Sequence, residues 1–169
     1  MAPLEDLGMR YVIPRFTFFT LLLIFSSPTY ADPSTDLLKS VGCEFTLPKG
    51  YTIDKKMSSN KPNLESFVLV WAPGGEAEYK EGSFVHFGSG PHARVGTQEE
   101  LLKFYLDDEN TKAIKVGQYP GYLRTKKKGK VEVVTMGVFV KGRMHALICQ
   151  GTKAQQVELQ KLRDSLKVL

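Results

Sequence analysis

Gly121-Tyr122-Leu123-Arg124-Thr125-Lys126, then Lys127-Lys128-Gly129-Lys130, then Val131-Glu132-Val133-Val134-Thr135-Met136-Gly137-Val138-Phe139-Val140, then Lys141-Gly142-Arg143, then Met144-His145-Ala146-Leu147-Ile148-Cys149-Gln150: these thirty residues decide the fold. Three runs rich in β-branched and aromatic residues are divided by two tight connections. Each connection carries a glycine able to take positive φ, so the stretch reads as a three-strand antiparallel meander. Residues 131–140 are apolar on both faces, with Val131, Val133 and Phe139 on one and Val134, Val138 and Val140 on the other. A strand apolar on both faces belongs inside a sheet that is covered on both sides.

Upstream, Cys43-Glu44-Phe45-Thr46-Leu47 alternates apolar and polar, the period of a half-buried strand. Pro48-Lys49-Gly50 turns it, and Tyr51-Thr52-Ile53 opens a second short strand. Residues 54–63 are polar and read as a mobile loop. Residues 64–72 form the next strand, closed by Pro73-Gly74-Gly75. Residues 83–87 form another, stopped by Gly88-Ser89-Gly90-Pro91. Thr97 with Glu100 is a capping box, and Leu101, Leu102, Tyr105 and Leu106 give the following helix an apolar face. Residues 113–117 return to strand. Thr152 with Gln155 caps a second helix whose Leu159, Leu162, Leu166 and Leu169 share one face. The fold class is α+β: an antiparallel sheet of about six to eight strands packed against two amphipathic helices.

The run Phe45-Thr46-Leu47-Pro48-Lys49-Gly50-Tyr51 resembles the opening strand of the PsbP/Mog-type fold and of the related DcrB-like bacterial periplasmic proteins. Tyr51 stands where those families more often carry tryptophan. The closing meander and a terminal helix ending in Asp164-Ser165-Leu166-Lys167-Val168 extend the likeness over most of residues 43–168. The resemblance implies a non-enzymatic binding scaffold, used by relatives as photosystem subunits, a Ran-binding factor, secretion adaptors and a periplasmic immunity protein. Fold alone does not choose among such roles.

Residues 1–31 read as a cleaved secretory signal. Arg10 and Arg15 precede the apolar run 16–25, and Ser26-Ser27-Pro28-Thr29-Tyr30-Ala31 supplies a small-residue cleavage site. The run is too short for a membrane span, which needs roughly 20 apolar residues. Glu5 and Asp6 are unusual for such a leader, and a start at Met9 gives a more conventional opening. Residues 32–42 read as a flexible lead-in with one helical turn, and 43–169 as a single domain. The expected localisation is periplasmic or secreted.

Without 1–31 the chain has 138 residues and keeps a net charge of +5. The excess is uneven. Arg124, Lys126, Lys127, Lys128, Lys130, Lys141 and Arg143 crowd one stretch of twenty residues against the single acid Glu132. Acids gather elsewhere: Glu76, Glu78 and Glu81, then Glu99, Glu100, Asp107, Asp108 and Glu109. The basic hairpin reads as a docking edge for an acidic protein, either an effector or an envelope component, or else as a solvated turn whose lysines guard a sheet edge. Nucleic acid is disfavoured by export and by the lack of aromatics interleaved with the basic residues. In an oxidising compartment Cys43 and Cys149 favour a disulfide, the alternative being two buried thiols.

Three histidines, His86, His92 and His145, match no zinc spacing, so neither metal nor cofactor is expected. A hydrolase built from Ser83 or Ser89 with His86 or His92 lacks the Gly-x-Ser-x-Gly elbow. Gly88, Gly90 and Gly96 with Arg94 precede a helix N-terminus and are the expected place for a small anion, although no phosphate-loop spacing is present. The expectation is therefore an exported, non-enzymatic protein acting by protein–protein contact, with an immunity or inhibitor role its narrowest form. The alternatives are an envelope accessory or ligand-binding subunit, or a small hydrolase using the His86/His92 loop.

Overall fold

The computed structural model describes residues 33–61, 64–74 and 83–169. The expected signal at 1–31 and the acids Glu76, Glu78 and Glu81 lie outside them. The meander forms as read: β6 (Tyr119–Lys128), β7 (Val131–Val140) and β8 (Arg143–Gly151) pair antiparallel in an unbroken register. Lys141 and Gly142, both with positive φ, make the two-residue turn from β7 to β8, the type I′ geometry that matches strand twist.

Around the meander stand β2 (Thr52–Ser59), β3 (Ser66–Trp71), β4 (Phe84–Gly90) and β5 (Thr111–Val116). They complete a seven-stranded antiparallel sheet ordered β2-β3-β4-β8-β7-β6-β5. The doubly apolar β7 is an interior strand, as its composition requires. A separate two-stranded ribbon joins β1 (Cys43–Glu44) to β9 (Lys167–Val168).

Strand alternation gives the sheet two apolar faces, and helices cover both. On one face α1 (Pro33–Ser40) and α3 (Lys153–Asp164) bring Leu38, Leu159 and Leu162 onto Val68, Phe87, Met136 and Leu147. On the other, α2 (Gln98–Tyr105) lays Leu101 and Tyr105 against Tyr122, Phe139 and Met144. Each fully buried leucine is worth about 1.5–3 kcal/mol of transfer free energy. Both capping boxes form, with the Thr97 and Thr152 hydroxyls accepting from the amides of Glu100 and Gln155. Among the described residues no helix is long and apolar enough to cross a membrane.

Four expectations need correction. The lead-in is helical over Pro33–Ser40 and seals the core with Leu38 and the following Val41, because two apolar residues at helical spacing find a sheet face to bury. The polar segment after Ile53 is not a loop: β2 runs through to Ser59 around a bulge. Asp54 organises that bulge by accepting from the amides of Lys56 and Met57 and from Trp71 Nε1. The glycines at 88 and 90 do not stop β4, which ends at Gly90, before Pro91. Leu169 lies beyond α3 and is half exposed, so only Leu159, Leu162 and Leu166 form the buried stripe.

A candidate docking hairpin and a histidine-lined cavity

Pairing between β5 and β6 ends at Thr111–Arg124, whereas β6 and β7 stay paired to Lys128–Val131. Residues 126–128 of β6 therefore run past the end of β5, while β7 stays paired with β8 as far as Glu132–Gly151. Gly129, at φ +61°, takes the first turn position that a type II′ turn reserves for glycine. Lys126, Lys127, Lys128 and Lys130 are exposed on this stretch and its turn. Lys126 reaches Asp108 at 4.0 Å. Among the described residues Lys127, Lys128 and Lys130 make no ion pair.

Arg124 and Arg143, expected in the same docking set, are occupied inside the fold. The Arg124 guanidinium donates to Asp108 Oδ2 at 2.5 Å with both side chains largely covered. The Asn110 amides, and then Arg124, hold the Asp108 carboxyl below the usual carboxylate range. Part of the acidic block after α2 thus neutralises part of the basic block. Arg143 braces three segments, donating to the Ser89 hydroxyl at 3.3 Å and to the Ser89 and Leu64 carbonyls at 3.0 and 2.9 Å.

His86 and His92 do come together. Both line a cavity of about 210 Å³ whose other walls include Glu65, Phe67, Met144 and Ala146. The His86 ring packs on Phe67 with centroids 5.6 Å apart, and burial holds its pKa below the ordinary value against the pull of Glu65. His92 is fixed on both sides: its Nδ1 accepts from the Arg94 amide at 3.2 Å, and its Nε2 lies 3.4 Å from the Tyr105 hydroxyl. Accepting at Nδ1 places the imidazole proton on Nε2. Arg94 itself is exposed and contributes only its backbone to the site. Behind His92, Tyr105 stacks on Tyr122 at 4.0 Å.

Other sequence candidates are separated by strand alternation. Ser83, Ser89 and His145 face the α1/α3 side, opposite His86, because residues an odd number apart along a strand, or facing such residues across it, lie on opposite faces. The Ser83 hydroxyl meets Tyr51 and the Ser89 hydroxyl meets Arg143. His145 packs on Phe87, and no metal-holding cluster forms among the described residues. The expected anion site before α2 is filled by the chain's own carboxylate: Glu100 Oε2 accepts from the amides of Gly96 at 2.7 Å and Thr97 at 3.2 Å.

The expected Cys43–Cys149 disulfide is absent, and both cysteines are free buried thiols. They are held by different neighbours. Cys43 donates toward the Leu38 carbonyl at 3.6 Å, while Cys149 sits mid-strand in β8 beside Arg163. Burial pushes the Cys149 thiol up to about 11 and raises Cys43 further.

Sequence reasoning missed Gln156 and Arg163, both buried on α3. With Leu159 they occupy positions i, i+3 and i+7, so helical periodicity alone places two polar side chains on the buried stripe.

The sequence matches no family model and no curated protein. Among solved structures, the chain is similar to a protein from Bacteroides thetaiotaomicron VPI-5482, with 7% identity and a TM-score of 0.52 over 77% of this chain. It spans 46% of that protein's length. A second match is cyanobacterial PsbP from Synechocystis sp. PCC 6803, at 16% identity and a TM-score of 0.44, covering 83% of this chain and 91% of that one. PsbP is the family to which the Phe45–Tyr51 segment was likened. At these identities the likeness concerns the fold alone.

Proposed function

We propose that this chain is an exported, non-enzymatic binding protein that recognises an acidic protein surface through the Lys126–Lys130 hairpin. One observation carries the reading: four exposed lysines stand together at the end of β6 and its turn, and among the described residues three of them pair with no carboxylate. Unpaired charges concentrated on one edge accelerate encounter with a surface of opposite sign. Export rests on the leader-like order of residues 10–31. The narrowest version is an immunity or inhibitor protein that closes an effector's active site.

Lys126→Glu with Lys128→Glu tests the reading in pull-downs from envelope extract at low and moderate salt. Exposed charges at a turn carry little stability, so the melt should move by no more than the equivalent of about 0.5 kcal/mol. Recovery of the partner should fall, most at low salt. Equal recovery by both proteins at both salts would return the lysines to the role of solvated edge guards.

A second reading, a ligand-binding accessory subunit, is favoured by the cavity between His86 and His92. Its mixed walls suit a small molecule with one polar end. The hydrolase alternative gains no support, since the Ser83 and Ser89 hydroxyls are engaged by Tyr51 and Arg143 and not by a histidine.

A further inference from the structure

A helix is about 10 Å across, roughly the width of two strands. Helix α3 packs on β7 and β8 and so leaves the same face of β6 and β5 uncovered beside it. The result is a groove of about 420 Å³ between α3 and β5. Its floor is apolar, with Ile114, Leu123 and Met136, and Val157 of α3 is 65% exposed at its wall.

Arg163 lines this groove with only 9% of its surface exposed. Its Nη1 donates to Gln156 Oε1 at 2.7 Å, and a further contact runs to the Cys149 sulfur. Gln156 is itself pinned, donating to the carbonyls of Glu132 and Cys149 at 2.9 and 3.2 Å. Among the described residues no carboxylate pairs with Arg163, not even the neighbouring Asp164 in the same groove. Buried charges are ordinarily paired. The helix C-terminus offsets part of this one, and its side-chain partners, an amide and a thiol, are both neutral. Lys112 and Lys153 stand on opposite sides of the groove, against Glu132 and Asp164, whereas Lys115, one residue on from Ile114, starts from the other face of the sheet. With Arg163, three cations face two carboxylates, and the positive excess suits an oxyanion.

We infer that the groove between α3 and β5 binds a phosphate monoester, its phosphoryl oxygens held by the Arg163 fork and its apolar body on the Ile114–Met136 floor. Arginine is suited to the phosphate because its N–H groups form a planar fork that matches two oxygens. The site is independent of the lysine hairpin and of the histidine cavity.

Calorimetric titration of the full chain with phenyl phosphate, inorganic phosphate and benzoate tests the inference. Phenyl phosphate should bind, and each of the other two should bind about tenfold or more weakly, one lacking the apolar body and the other the second charge. Arg163→Gln should cost a further tenfold or more, roughly one charged hydrogen-bond pair. Should that variant fail to fold, Lys112→Glu with Lys153→Glu, both exposed, should weaken phenyl phosphate similarly with an unchanged melt. No heat from phenyl phosphate, equal affinity for all three anions, or an unaltered affinity in the lysine double variant would overturn the assignment.

Discussion

The buried imidazole of His145 should set the acid limit of this fold. It is 7% exposed and packed against Phe87, and among the described residues its buried Nδ1 has no hydrogen-bond partner. Burial first, and then the positive charge of Arg143, push its pKa down from 6.5 to about 4. The unfolded chain therefore takes up a proton near pH 6.5 that the folded chain refuses until about pH 4. Stability contributed by the neutral ring is complete above 6.5, falls as the pH drops through this window, and is lost below it. Linkage across that shift gives up to about 2 kcal/mol of destabilisation at pH 5 and about 3 kcal/mol at the lower limit. Denaturant unfolding at pH 7 and pH 5 measures the difference directly. His145→Gln retains a side-chain donor and removes the titration, so its stability should fall with acid by correspondingly less. His86, also depressed by burial, acts in the same direction in both proteins and cancels. An identical pH dependence in wild type and variant would refute the reasoning.

A methyl group at Gly137 would lie 2.3 Å from Tyr122 Cε1, and Tyr122 has no room to retreat because its ring is buried and stacked on Tyr105. Gly137→Ala should lower stability by about 1–3 kcal/mol, the usual cost of overpacking, read as a shift in denaturation midpoint. An unshifted midpoint would show that the aromatic stack is looser than described. The two thiols should resist a disulfide-exchange reagent in the native protein at neutral pH, since both are buried and held protonated. Two thiols should titrate once the protein is unfolded without reductant, and none would mean that Cys43 and Cys149 are joined after all.

Elements with a strong local signal were legible in the sequence, and the reason is that their cause is local. The meander rests on two-residue turns and β-branched runs, and both helices start at reciprocal Thr–Glu or Thr–Gln caps. Elements whose cause is tertiary were not. β2 contains Asp54, Lys55 and Lys56 and looks like a loop, yet it forms because β3 offers an edge and Asp54 gathers three donors around a bulge. α1 is eight residues long, below the length at which helices persist alone, and exists because Leu38 has a sheet to cover.

The same distinction governs the sites. Charge runs are visible in a sequence, but their compensation is not. Arg124 and Arg143 count equally with Lys127 and Lys128 in a tally of basic residues. The fold spends the first two on Asp108 and on the carbonyls of Ser89 and Leu64, and leaves the lysines in water. Glu100 likewise fills the amide nest that its own glycine-rich approach suggested for a ligand. Arg163 is the reverse case, an inconspicuous residue in the last turn of a helix whose environment withholds a counter-ion. A site for an anion is marked by the charges a fold fails to answer more than by the number it carries, and by that measure the groove beside α3 ranks above the loop before α2.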